Sequence, residues 1–245
     1  MSARSATPAE PVPTADQVGA ATLERLAVAP RFNRWIYDRL APWIGEAVLE
    51  VGSGIGNLSH FLVGRPRVVL TDTEPAYRAY LERRFRDRPH VRVRPLTLPD
   101  VPPDLRGQRF DSVVCLNVLE HIERDHDALV AMRDLLAPGG AVVLLVPAVP
   151  ALFGELDRAL GHYRRYTPDV LRRRLAGAGL VVRHLEYFNL AGMPGWWFVG
   201  RVLKRAMIPT GSLRLYNALV PLFRLERWLP WRPGQSLIAI GARAP

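Results

Sequence analysis

From residue 47 onward the chain alternates short apolar runs with amphipathic stretches. AVLEV (47–51), RVVLT (67–71), HVRVRPL (90–96), FDSVVCLNV (110–118) and GGAVVLLVPA (139–148) are rich in β-branched residues, which is the composition of strands. Residues 74–87, 126–137 and 167–179 repeat apolar positions at helical spacing, and GNLSHFLVG opens a further helix after the first strand. Thr167 serves as N-cap for the 167–179 helix, with Pro168 in its first turn. Strands and helices in alternation predict an α/β, doubly wound, mostly parallel sheet covered on both faces. Two later runs, 180–189 and 236–244, have no ordinary helix pattern between them and predict an antiparallel edge pair, bringing the strands to seven.

Outside this alternation the pattern changes. Residues 21–43 carry apolar residues at helical spacing, interrupted by Pro30 and Pro42. Residues 1–20 are rich in Ala, Pro, Ser and Thr, have no apolar h-region, and are expected to be a disordered tail rather than a signal peptide. Residues 191–235 read as a helical insertion before the last strand. The expected organisation is a domain of 21–190 with 236–245, interrupted by that insertion. No apolar run reaches the roughly 18–20 residues of a membrane span. The single cysteine, Cys115, excludes an internal disulfide and a cysteine-based zinc site, and favours a reducing, cytoplasmic setting. Its place in an apolar strand makes it an inert buried thiol.

Charge adds an asymmetry. The net charge is +10, and residues 151–245 hold 15 basic against 5 acidic side chains, so the whole excess falls there. The insertion holds Trp196, Trp197, Trp228 and Trp231, interleaved with Arg201, Lys204, Arg205, Arg214, Arg224, Arg227 and Arg232. Such a surface implies an anionic partner.

The stretch VLEVGSGIGN (48–57) ends a strand in three glycines on alternate positions. Residues without Cβ permit a tight turn and the close approach of a ligand. A pyrophosphate-binding turn has the spacing G-x-G-x-x-G. Here it is G-x-G-x-G, and Glu50 would repel a pyrophosphate while suiting a cation or an amino group. The ligand expected is a nucleoside carrying positive charge. Asp72, at the end of the next strand, follows Gly52 at the distance from which an acid accepts both ribose hydroxyls; it can also cap the helix that begins near Glu74.

Four motifs in order, VLEVGSGIGN, TDTEP, FDSVVCLNVLEHI and LLAPGGAVVLLVPA, resemble those of class I S-adenosylmethionine-dependent methyltransferases, in the small-molecule group that includes quinone-biosynthesis enzymes. The resemblance spans about residues 32–190 and returns at 236–244. It implies a Rossmann-like fold and S-adenosyl-L-methionine as cofactor. It further implies that Glu50 and the Gly52-Ser53-Gly54 backbone hold the methionine part, with Gly54 and Gly56 allowing close approach. Asp72 would bind ribose, Thr97 and Leu98 flank the adenine, and Asn117 face the cofactor.

For the acceptor side, His121 is either a general base near the transferred methyl or a residue that orders its loop. A divalent ion held by E-x-x-E-H is not expected, because Asn117 stands at the first position and leaves one carboxylate fewer. His162, Tyr163 and Arg165 follow the fifth strand, where an acceptor pocket is expected; alternatively the arginines pair with Asp157 and Asp169. Segment 191–235 reads as a lid, as an element lying on an anionic membrane surface, or as a dimer face. The reading is O- or C-methylation of a small-molecule or lipid-like acceptor, with nucleic acid not expected as partner. The alternatives are RNA methylation and a non-catalytic nucleoside- or membrane-binding protein. The oligomeric state is not readable from the sequence.

Overall fold

The computed structural model describes residues 17–203, 210–229 and 233–244. Residues 1–16 of the expected tail lie outside these, as do Lys204, Arg205, Trp231 and Arg232; residues 17–20, included in that tail, form the first turn of a helix. In chain order the elements are α1 (Gln17–Ala27), α2 (Pro30–Leu40), β1 (Ala47–Val51), α3 (Ser59–Leu62), β2 (Arg67–Asp72), α4 (Pro75–Arg84), β3 (Val91–Pro95), α5 (Pro103–Arg106) and β4 (Phe110–Leu116). Then come α6 (Asp125–Asp134), β5 (Leu136–Pro147), α7 (Glu155–Ala159), α8 (Pro168–Gly177), β6 (Leu180–Phe188), α9 (Gly192–Trp197), α10 (Thr210–Phe223) and β7 (Ser236–Arg243).

One seven-stranded sheet runs in the order β3-β2-β1-β4-β5-β7-β6. Strands β1 to β5 pair in parallel, and β7 enters antiparallel between β5 and β6. The antiparallel edge pair expected from the sequence is therefore β7–β6, with β7 one place in from the edge. Successive residues of β4 face opposite sides: Val113 and Cys115 join the cluster packed by α6 and α8, while Val114 joins the one packed by α2. This two-sided burial explains why the strands read as continuous apolar runs. The parallel strands β1, β2 and β4 point their C-terminal ends, with Glu50, Asp72 and Asn117 nearby, at the same crevice, on either side of the point where strand order reverses.

Among the described residues of 191–235, α9 and α10 are helical. The buried Glu226 carboxylate accepts the Asn189 and Leu190 N–H groups at 2.9 and 2.7 Å, and Tyr216 donates its hydroxyl to Asn189 Oδ1. These bonds fasten the start and end of the insertion to the tip of β6. Glu226→Ala leaves the buried Asn189 amide and the half-buried Leu190 amide unpaired, and thermal unfolding is expected to show a loss of about 2–4 kcal/mol. Proteolysis within 190–229 is expected to quicken in the same variant.

Candidate functional site

The glycine turn is shaped by its own backbone. Gly52, Gly54 and Gly56 have φ of +69°, +53° and +77°, the left-handed region that favours glycine. A Cβ on Gly52 would stand 2.4 Å from Val118 Cγ2, and one on Gly54 would stand 2.8 Å from Leu23 Cδ1 of α1. The Asp72 carboxylate closes the turn: Oδ2 accepts the Gly54 N–H at 2.8 Å and Oδ1 the Glu74 N–H at 2.9 Å. Asp72 thus braces Glu74, which itself caps α4 by accepting the Ala76 N–H at 3.4 Å, and still has lone pairs for a further donor. Asn57 Nδ2 donates to Leu23 O at 2.8 Å, which holds α1 across the turn.

Above the turn lies a cavity of about 950 Å³, large enough for a nucleoside cofactor together with part of an acceptor. Its floor is Glu50, Gly52, Ser53, Gly54, Asp72, Thr97, Leu98 and Asn117, the cofactor-side residues read from sequence apart from Gly56. Gly56 faces Leu81 and Phe85 instead and serves the packing of α4. Asn117 adopts φ +53° at the end of β4, a conformation asparagine tolerates better than most residues. The opposite wall carries His121, His162 and Arg165, together with Glu120. Tyr163 departs from the expectation: it is 55% exposed, outside the lining, with the Arg164 guanidinium 5.7 Å from its ring. The roof comes from α1, α9 and α10 through residues such as Leu23, Trp196 and Tyr216.

Glu50 is the most telling group. It is 4% exposed, and burial pushes its pKa to about 7 despite hydrogen bonds from Ser59 and Ser53, with the Asp72 charge adding to the rise. No arginine or lysine of the described residues pairs with it. A buried carboxylate without a cation, beside backbone that excludes any Cβ, fits a ligand bearing a positive amino or sulfonium group. Burial likewise raises the pKa of Asp72, against the pull of the Glu74 and Gly54 N–H groups.

On the acceptor side, Arg165 is buried and donates from Nε to Asp157 Oδ1 at 2.8 Å and from Nη1 to Ala148 O at 2.9 Å. Its Nη2 has no hydrogen-bond partner, and its guanidinium lies 4.9 Å from the Trp196 ring. The sequence alternative of a pair with Asp157 holds for Arg165, whereas Arg164 pairs with Asp125 and not with Asp169. From sequence Asp157 is read only as a partner of the arginines and Glu120 only as part of an N-x-x-E-H pattern, and neither is placed among the site residues. Glu120 is adjacent to His121, but only the tight turn at 119–121 shows that it points inward.

Residues 49–142 match the family described as methyltransferase domain. The fold is shared with solved methyltransferases. The one in complex with the Haloferax volcanii Trm112 methyltransferase activator has a TM-score of 0.65 at 16% identity, over 94% of this chain and 97% of that one. Geranyl diphosphate methyltransferase in complex with SAM has a TM-score of 0.63 at 15% identity, over 94% and 92%. Residues 49–142 thus carry a methyltransferase-domain match within a Rossmann-like fold of the class I S-adenosylmethionine-dependent methyltransferase kind.

Among curated relatives, the tRNA U34 carboxymethyltransferase of Syntrophotalea carbinolica is 35% identical over 135 residues, 54% of this chain and 40% of the relative. That of Methylococcus capsulatus is 32% identical over 137 residues, 54% and 41%. The chain spans about two fifths of the length of these relatives. They overturn two expectations: a small-molecule or lipid-like acceptor, and that nucleic acid is not a partner. The basic insertion reads from sequence as a lid, a membrane-surface element or a dimer face, yet its arginines and aromatic rings suit phosphates and bases as well. No helix of the described residues is long and apolar enough to cross a membrane.

Proposed function

We propose that this chain is a transferase that uses an S-adenosylmethionine-type sulfonium cofactor to alkylate a base in RNA, with tRNA as the first substrate to test. The observation that carries this reading is the similarity to tRNA U34 carboxymethyltransferases over 54% of this chain. Charge and surface support it. Arg214 is exposed on α10, the helix that walls the cavity, and Arg227 lies 4.8 Å from the ring of Trp228, which is 70% exposed. An arginine over an exposed tryptophan ring would suit a base and its phosphates.

When bound, the cofactor supplies an activated carbon on sulfur. The chain's own work is grip and alignment. Glu50 would hold the amino group, Asp72 the ribose hydroxyls, and Thr97 with Leu98 the adenine edge. Leu23, Trp196 and Tyr216 shield the cavity from water. Arg165 is the only arginine or lysine in the lining among the described residues, and its spare Nη2 would suit a carboxylate on the transferred group.

The test is incubation of unmodified tRNA transcripts with S-adenosylmethionine and, separately, its carboxymethyl counterpart, followed by mass spectrometry of the nucleosides. A modified uridine is expected. Binding of RNA should weaken steeply with salt, about 10³-fold or more between 50 and 200 mM if six or more phosphates are neutralised. Cofactor binding without any RNA product, and without salt-dependent RNA affinity, overturns the reading.

A further inference from the structure

We propose that Glu120, His121 and His162 form a binding site for one divalent transition-metal ion of the zinc class. Each offers a ligand atom, and these atoms lie within 4.8 Å of one another on the acceptor wall of the cavity. Two features distinguish the cluster from chance proximity. Glu120 is fully buried, yet neither of its carboxylate oxygens has a hydrogen-bond partner. A buried carboxylate left unmatched is costly unless a cation or donor joins it. Secondly, His162 Nδ1 is bonded to Asp157 Oδ1 at 3.0 Å, which fixes the ring and leaves Nε2 for a metal. Asp157 is itself held by Arg165 and by the Gly154 N–H at 3.0 Å. His121 meets His162 edge to face, with ring centroids 4.7 Å apart.

The donor set decides the ion. Two imidazoles and one carboxylate suit zinc and its first-row neighbours, whereas calcium and magnesium require mainly oxygen. A site with three protein ligands facing a cavity keeps a coordination position open for an acceptor oxygen, which the ion would polarise. Coordinated in this way, His121 has no role as a free base. The sequence pattern counted Asn117 as a missing ligand; the fold supplies His162 instead.

This inference goes beyond the transferase reading, and its test does not use transfer. Untagged protein is stripped with chelator, titrated with Zn²⁺ by calorimetry, and assayed for metal after gel filtration. One ion per chain is expected. Glu120→Gln, His121→Ala and His162→Ala should each weaken it at least 10-fold. Asp157→Asn should weaken it about 10–100-fold by loosening His162. His60→Ala, outside the cluster, should leave it unchanged, and retained cofactor binding shows that a variant is folded. Failure of the wild-type chain to bind one ion, or undiminished binding by Glu120→Gln or His121→Ala, overturns the site.

Discussion

Glu50→Gln is expected to raise the stability of the ligand-free protein and weaken its hold on the cofactor at once. The Glu50 carboxyl is pushed from an ordinary 4.5 to about 7 by burial, with Asp72 adding to the rise and Ser59 and Ser53 opposing it. A raised carboxyl pKa means that the folded chain holds a proton the unfolded chain has released. Stability from this group is fully present below pH 4.5 and is lost as pH rises through about 7. At pH 8 the cost is about 3 kcal/mol. A neutral amide avoids the buried charge but still loses its hydration, so the net gain is about 1–2 kcal/mol, a Tm rise of roughly 2–8 °C. The same change removes the carboxylate assigned to the cofactor's amino group, and cofactor affinity should fall about 10–100-fold. In the wild-type chain, affinity should itself drop about 10-fold at one pH unit below the Glu50 pKa, because binding then requires a proton to leave. Thermal melts and calorimetry across pH 5–8 check both signs. Matching melting curves for variant and wild type throughout that range would remove Glu50 from its assigned role.

Gly52→Val is expected to abolish cofactor binding and also to destabilise the fold. The structure places the missing Cβ 2.4 Å from Val118 Cγ2, on a backbone with φ +69°. Left-handed backbone costs a β-branched residue about 1–2 kcal/mol, and overpacking adds about 1–3. The two parts are separable. Val118→Ala relieves the clash but not the backbone strain, so the double variant should recover about 1–2 kcal/mol relative to Gly52→Val, a non-additive result. Cofactor binding should remain absent in both, since the turn itself is distorted. Denaturant unfolding measures the coupling, and simple additivity would show that Val118 does not confine position 52.

Much of this architecture was legible in the chain. All seven strands stand within a few residues of where the apolar runs place them; the inner strands, buried on both faces, need continuous apolar sequence, while the edge strands β3 and β6 are only part-buried. The turn at 52–56 was legible for a similar reason: its backbone conformation admits little but glycine, so composition records geometry. The helix expected after that turn shrinks to Ser59–Leu62, a single turn that periodicity could not separate from the loop before it. The order of β7 and β6 depended on pairing across the sheet and had no local signal.

The sequence by itself determined the layered fold, the glycine turn, and Glu50 and Asp72 beside it, because each is dictated by neighbours along the chain. Only the tertiary structure turned Tyr163 outward, moved Gly56 beneath α4, and brought Glu120 and Asp157 to the wall that holds His121 and His162. Those four positions depend on contacts between segments distant in the chain, where burial and charge pairing, rather than local propensity, decide which way a side chain points.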